Sequence, residues 1–289
     1  MACLEKDDHR GIGAPSGRCD VNNDAPNRDA PTVLYEVREG VAHVTLNRPE
    51  VHNAFNVRMQ AELERVWDSV RTDDDIRVVV LTGAGDKAFC TGIDRADIPV
   101  DDDFDPFTYQ DPGRRIGPKS QGVWKPVIVA INGMACGGAF YLIGESDIAI
   151  ASANATFFDP HVTYGMAAVF EPILLGGGRL GFSEIVRMSL LGAHERISAR
   201  TAREIGLVTQ VVEPDDLGGE ATRLARLIAS QPPAAIQATL RTLWAARELT
   251  PGQAKDLGNV FLHLGTTSRA LTDGQELFEG HRRPEWSIR

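Results

Sequence analysis

"KPVIVAINGMACGGAF", Lys125 to Phe140, is the stretch on which the fold turns. Its first half is an unbroken apolar run, the pattern of a strand covered on both faces rather than of one that faces water. Its second half passes through Gly137-Gly138 into the apolar "AFYLIG", a glycine turn that opens a short helix. Upstream, "IRVVVLTG" (Ile76–Gly83) is another such strand, and downstream "SDIAIAS" (Ser146–Ser152) is a third. Between Val57 and Arg71, the spacing of Met59, Leu63, Val66, Trp67 and Val70 puts all five on one helical face. Strands separated by helices imply β–α units with parallel pairing, hence an α/β fold.

The rest of the chain fits around that centre. "VLYEVREGVAHVTLN" (Val33–Asn47) reads as two strands about a Glu39-Gly40 hairpin, and "GLVTQVVEP" (Gly206–Pro214) as the last strand. Residues 1–30 are polar, without apolar period, and are expected to be a disordered tail; 31–215 form the α/β core and 216–289 a helical C-terminal region. "GIGAPSG" (Gly11–Gly17) is not a dinucleotide fingerprint, because no strand precedes it, and "GGGRL" (Gly176–Leu180) is a turn rather than a phosphate loop. The polar segment from Asp97 to Gln121 is either a solvated loop or a lid.

Composition narrows the function. A formal charge of −10 argues against a nucleic-acid or anionic-membrane binder, so an anionic ligand would need a local basic cluster. No apolar run approaches the roughly 20 residues of a membrane span. Cys3, Cys19, Cys90 and Cys136 have neither zinc nor disulfide spacing, so no metal is implied and a reduced, cytoplasmic location is the default.

Two segments end strands in glycine turns: "AFCTGID" (Ala88–Asp94) and "NGMACGGAF" (Asn132–Phe140). Their backbone N–H groups would jointly bind an oxyanion; taken singly, either glycine set merely permits a tight turn. Taken together with "LNRPEVHNAFN" (Leu46–Asn56), "VVVLTGAGDKAFCTGIDRADI" (Val78–Ile98) and "LLGAHERISARTAREIGLVTQVV" (Leu190–Val212), they resemble the crotonase, or enoyl-CoA hydratase/isomerase, superfamily from about Tyr35 to the C-terminus. The resemblance implies a ClpP-like spiral of β-β-α units with a helical trimerisation region, assembled as a homotrimer or a dimer of trimers. It also implies an acyl-CoA thioester substrate, with coenzyme A as part of the substrate and no separate cofactor. The thioester oxygen would lie between the N–H groups of Ile93 and Gly138. The CoA nucleotide would lie near Arg48, Ala54 and Arg95, with Phe278 and Arg282 reaching a neighbouring subunit's CoA, unless Arg282 is only a solvated tail charge.

The resemblance breaks at the proton-transfer groups. Hydratases of this family carry two glutamates, one to orient water and one to exchange a proton with the α-carbon. In ungapped register those positions hold Tyr141 and His161. His161 is then the expected general base, or else a structural histidine after Pro160. Tyr141 would donate a proton or shape the acyl pocket. Glu145 would restore a carboxylate or be a structural partner, and Glu171 would orient the imidazole. A His161–Glu171 pair also resembles crotonase-fold hydrolases of cyclic β-diketones, which cleave a C–C bond. A catalytically silent CoA-binding or scaffolding subunit is the third reading.

Overall fold

The computed structural model describes residues 30–97, 111–279 and 288; the expected tail, most of the long loop, and Arg282 lie outside those residues. Strands β1 (Val33–Arg38) and β2 (Val41–Leu46) form the antiparallel hairpin. Its turn residues Glu39 and Gly40 both have positive φ, 52° and 76°, which matches the right-handed twist of the flanking strands. Helix α1 (Val57–Thr72) follows, capped by Asn56, whose side chain accepts from the Met59 N–H. It buries Met59, Leu63, Val66, Trp67 and Val70, the face that the periodicity predicts, together with Gln60.

A repeated unit then builds the body. β3 (Val78–Gly83) leads into β4 (Ala88–Cys90), and the short helix α2 (Gly113–Ile116) follows. β5 (Val127–Ile131) leads into β6 (Met134–Cys136) and α3 (Ala139–Gly144); β7 (Ile148–Ser152) leads into β8 (Thr156–Phe158). The first strand of each unit joins a sheet in the order β1-β2-β3-β5-β7, and the second joins another in the order β4-β6-β8. The chain thus winds through two sheets in step, with parallel neighbours inside each spiral. Helices α4 (Phe170–Gly176) and α5 (Phe182–Leu191) come next. Then β9 (Ile197–Ser198) closes the smaller sheet, antiparallel to β8; α6 (Ala199–Glu204) crosses over and β10 (Gln210–Val212) closes the larger one, parallel to β7.

The unbroken apolar runs are explained by cover on both faces. Val79, Leu81, Val127, Val129 and Ile131 pack with α1 and α3, while Val78, Val80, Ile128 and Ala130 pack under Leu217, Ala221 and Ala225. Those last three belong to α7 (Leu217–Ala229), the first of four C-terminal helices. So α7 is part of the core's roof, although it falls in the region read as a C-terminal helical annex. Each fully buried Val or Ile on these strands contributes about 1.5–3 kcal/mol. Helices α8 (Pro233–Ala245) and α9 (Pro251–Gly265) pack on each other, and α10 (Ser268–Glu279) follows. No helix among the described residues is long and apolar enough to cross a membrane.

Candidate active site

The two glycine turns meet. Phe55 pairs with Ile93 in a parallel bridge: the Phe55 N–H donates to the Gly92 carbonyl at 2.8 Å and the Asp94 N–H to the Phe55 carbonyl at 2.9 Å. That pattern turns the N–H of Ile93 itself away from Phe55. Gly92 has φ of +86°, and a methyl group on it would lie 2.7 Å from the Gly138 nitrogen, so the backbones of both turns touch. A methyl on Gly138 would lie 2.7 Å from the Phe55 ring. Close approach by the Phe55 ring therefore already demands glycine at 138, whether or not a substrate oxygen also comes near.

Beside this junction stands His161, the first residue of a 3-10 turn (His161–Tyr164) after β8. A methyl on Gly137 would lie 3.8 Å from His161 Cε1, so the ring lies beside the second glycine turn. Its Nδ1 is 2.5 Å from Asp159 Oδ1, and its Nε2 is 3.5 Å from Glu171 Oε1. Asp159 is fully buried and also accepts from the His161 backbone N–H at 3.2 Å. Its other oxygen, Oδ2, has no hydrogen-bond partner among the described residues. The hydrogen bond to Asp159 raises the His161 pKa above its ordinary value, against a lowering by burial; the charges of Glu171 and Asp159 add to the rise, and Arg95 opposes it. Burial raises the Glu171 carboxyl, and the charges of Asp159 and Asp111 push it further, against the pull of His161.

Asp159 holds Nδ1, and Glu171, the carboxylate that the sequence points to as the partner of the imidazole, stands at Nε2. The signal was present in "DPH": proline between Asp and His bends the chain so that both side chains reach the same space. Asp111 was missed altogether. It accepts from the Tyr141 hydroxyl at 2.7 Å and from the Gly113 N–H at 2.9 Å. Tyr141 is 5 % exposed, with its ring against the backbone of Gly113. The Trp67 indole N–H, donating to the Ile116 carbonyl at 2.8 Å, ties α2 to α1 and so holds that backbone in place.

Glu145 sits elsewhere in the network. It is buried, and its carboxylate accepts from the Ser120 N–H at 2.7 Å and from the Ser120 hydroxyl, while desolvation raises its pKa. Arg48 ion-pairs with Asp94 at 2.9 Å and donates to the Ala54 carbonyl at 2.7 Å, so its charge is met within the turn that carries Ile93. Ala54 is buried in the neighbouring segment, just before Phe55. Arg95 is different: it is exposed, with its guanidinium 2.8 Å from the Met166 sulfur and over the Tyr164 ring. The side chain of Phe278 and all of Arg282 lie outside what is described. No three His, Cys, Asp or Glu side chains among the described residues form a group suited to a metal ion.

The enoyl-CoA hydratase/isomerase family model matches residues 36–289. The chain is 43 % identical over 212 residues to the (E)-benzylidenesuccinyl-CoA hydratase of Thauera aromatica, spanning 72 % of this chain and 80 % of that one. It is 32 % identical over 266 residues to the 1,2-epoxyphenylacetyl-CoA isomerase of Escherichia coli, spanning 88 % and 98 %. The crystal structure of an enoyl-CoA hydratase/isomerase from Mycobacterium paratuberculosis superposes with a TM-score of 0.79 at 33 % identity, over 89 % of this chain and 98 % of that one. With two sheets wound in step, two glycine turns in contact and a family match over nearly all the chain, this protein belongs to the enoyl-CoA hydratase/isomerase family of the crotonase superfamily.

Proposed function

We propose that this acyl-CoA-processing enzyme exchanges a proton with the α-carbon of a bound thioester through His161, with Asp159 fixing the ring. The N–H groups of Ile93 and Gly138 hold the thioester oxygen as it gains enolate charge. The observation that carries this reading is the imidazole beside Gly137, held by a fully buried aspartate. When neutral, Nε2 takes the α-proton and the C–H electron pair moves onto the thioester oxygen; when protonated, it returns the proton to the enolate. Arg95, the exposed cation of the turn, is the better candidate than Arg48 for a substrate or CoA anion, because Arg48 is already paired. Likeness to the Thauera protein favours hydration of an enoyl-CoA of the benzylidenesuccinyl kind. We take the assembly to be a homotrimer or a dimer of trimers, in keeping with the exposed Leu243, Val260, Leu262 and Leu264 on α8 and α9.

The test is His161→Ala. Acyl-CoA binding, measured by calorimetry, should persist while turnover falls by roughly two to four orders of magnitude. Unchanged turnover would make the histidine structural. The second reading, C–C hydrolysis of a β-diketone, draws on the carboxylates flanking His161. Cleavage of a cyclic 1,3-diketone with no response to acyl-CoA would favour it.

A further inference from the structure

The proposed α-carbon chemistry uses one acid–base group, whereas adding water across a double bond needs a second to take the proton from water. Tyr141 occupies the place from which a carboxylate would come, and its hydroxyl is bonded to Asp111. A buried carboxylate nevertheless reaches the site from another element. Glu171 stands in the first turn of α4, 5 % exposed, with Oε1 3.5 Å from His161 Nε2. Two observations bring α4 and α3 together near it. Helix α4 is docked closely on α3, so that a methyl on Gly144 would lie 2.8 Å from Leu174 Cβ. Gly144 follows Tyr141 by one turn on α3, as Leu174 follows Glu171 by one turn on α4. Asp111, the partner of the Tyr141 hydroxyl, is also near enough for its charge to act on Glu171.

We infer that Glu171 is the second acid–base group of the site and activates the water that adds to the substrate's β-carbon, replacing from α4 the carboxylate that α3 does not supply. The inference rests on the enolate reading above and goes beyond it. Asp159 already holds Nδ1, so Glu171 is not needed to orient the ring, and its oxygen faces the nitrogen that does the chemistry. The balance closes with one proton on the pair. In the starting state His161 carries it and Glu171 is ionised. As the water oxygen bonds to the β-carbon, Glu171 takes a water proton and the π electrons move to the thioester oxygen. The enolate then takes the proton of His161 at the α-carbon. The proton on Glu171 crosses to Nε2 and the pair is reset, with one water added and no other reactant consumed. A raised His161 pKa and a raised Glu171 pKa favour this division, an imidazolium acid beside a carboxylate basic enough to accept a proton.

Two reactions separate the two groups. Exchange of the α-protons of butanoyl-CoA with D2O involves no added water and reads His161 alone; hydration of crotonyl-CoA or cinnamoyl-CoA needs both residues. Glu171→Gln, which preserves size, should lower hydration kcat by roughly two to four orders of magnitude while retaining most of the exchange and the KM. His161→Gln should lose both reactions. Equal losses of exchange and hydration in Glu171→Gln would overturn the inference, since the residue would then act only through the imidazole; so would hydration at the wild-type rate. Binding of butanoyl-CoA by calorimetry establishes that each variant is folded. A wild-type enzyme that hydrates enoyl-CoA but exchanges no α-proton would instead overturn the enolate reading beneath it.

Discussion

At His161 the two ring nitrogens face two carboxylates of different standing. Asp159 is fully buried and bonded to Nδ1, whereas Glu171 faces Nε2 at 3.5 Å. Asp159 is therefore a positioning residue, and its largest effect on His161 is to raise the pKa through that hydrogen bond. The sign of the consequence is fixed. Exchange at the α-carbon needs the neutral ring, so it should rise with pH through a midpoint above the ordinary histidine value. Asp159→Asn removes the main cause of the rise and should move that midpoint to lower pH, with Asp111, Glu171 and Arg95 still acting on the site. A pH–rate profile of exchange checks this; an unmoved midpoint would show that Asp159 does not bond the ring in solution. At this scale the sequence was half legible. His161 and Tyr141 stood out as candidates in the sequence, but not which carboxylate would take which imidazole nitrogen. Proximity across Pro160 decided in favour of Asp159, and contacts of that kind leave no periodic trace.

Elements hold this site through polar anchors as much as through apolar packing. Asp147, at the start of β7, accepts from the Val127 N–H at 2.7 Å and from the Trp244 indole N–H of α8 at 2.7 Å, and pairs with Lys119 at 2.8 Å. Both members of the ion pair are 7 % exposed, and burial lowers the Lys119 pKa. One aspartate thus joins β5, α8 and the loop that Glu145 grips through Ser120. Asp147→Ala leaves an unpaired buried cation and should cost about 3–5 kcal/mol, read as a fall in the denaturation midpoint. A loss under 1 kcal/mol would mean that the pair adds little. Strands and α1 were legible because their apolar patterns answer to burial on one face or two. These anchors were not, since each joins residues far apart in sequence: Asp147 to Trp244, Glu145 to Ser120, Tyr141 to Asp111.

Across the whole molecule, the spiral of two sheets brings two local glycine turns into contact: β4 and β6 are neighbours in the smaller sheet, and the turns that leave them meet at Gly92 and Gly138. That the two turns act together was expected from the resemblance their motifs carry, whereas the roofing of the larger sheet by α7 was not legible, because a helical face looks the same whether it covers its own sheet or another chain. Helices α8 and α9 leave Leu243, Val260, Leu262 and Leu264 exposed, and light scattering at micromolar concentration should give the mass of three or six chains. A monomer would contradict the assembly we propose. The central claim, that His161 moves a proton at the α-carbon of a thioester held by Ile93 and Gly138, is tested most directly by mass spectrometry of butanoyl-CoA incubated with the enzyme in D2O. Deuterium is expected at the α-carbon with the wild type, and a rate lower by roughly two to four orders of magnitude with His161→Ala at undiminished binding. Exchange at the same rate in both proteins would contradict it.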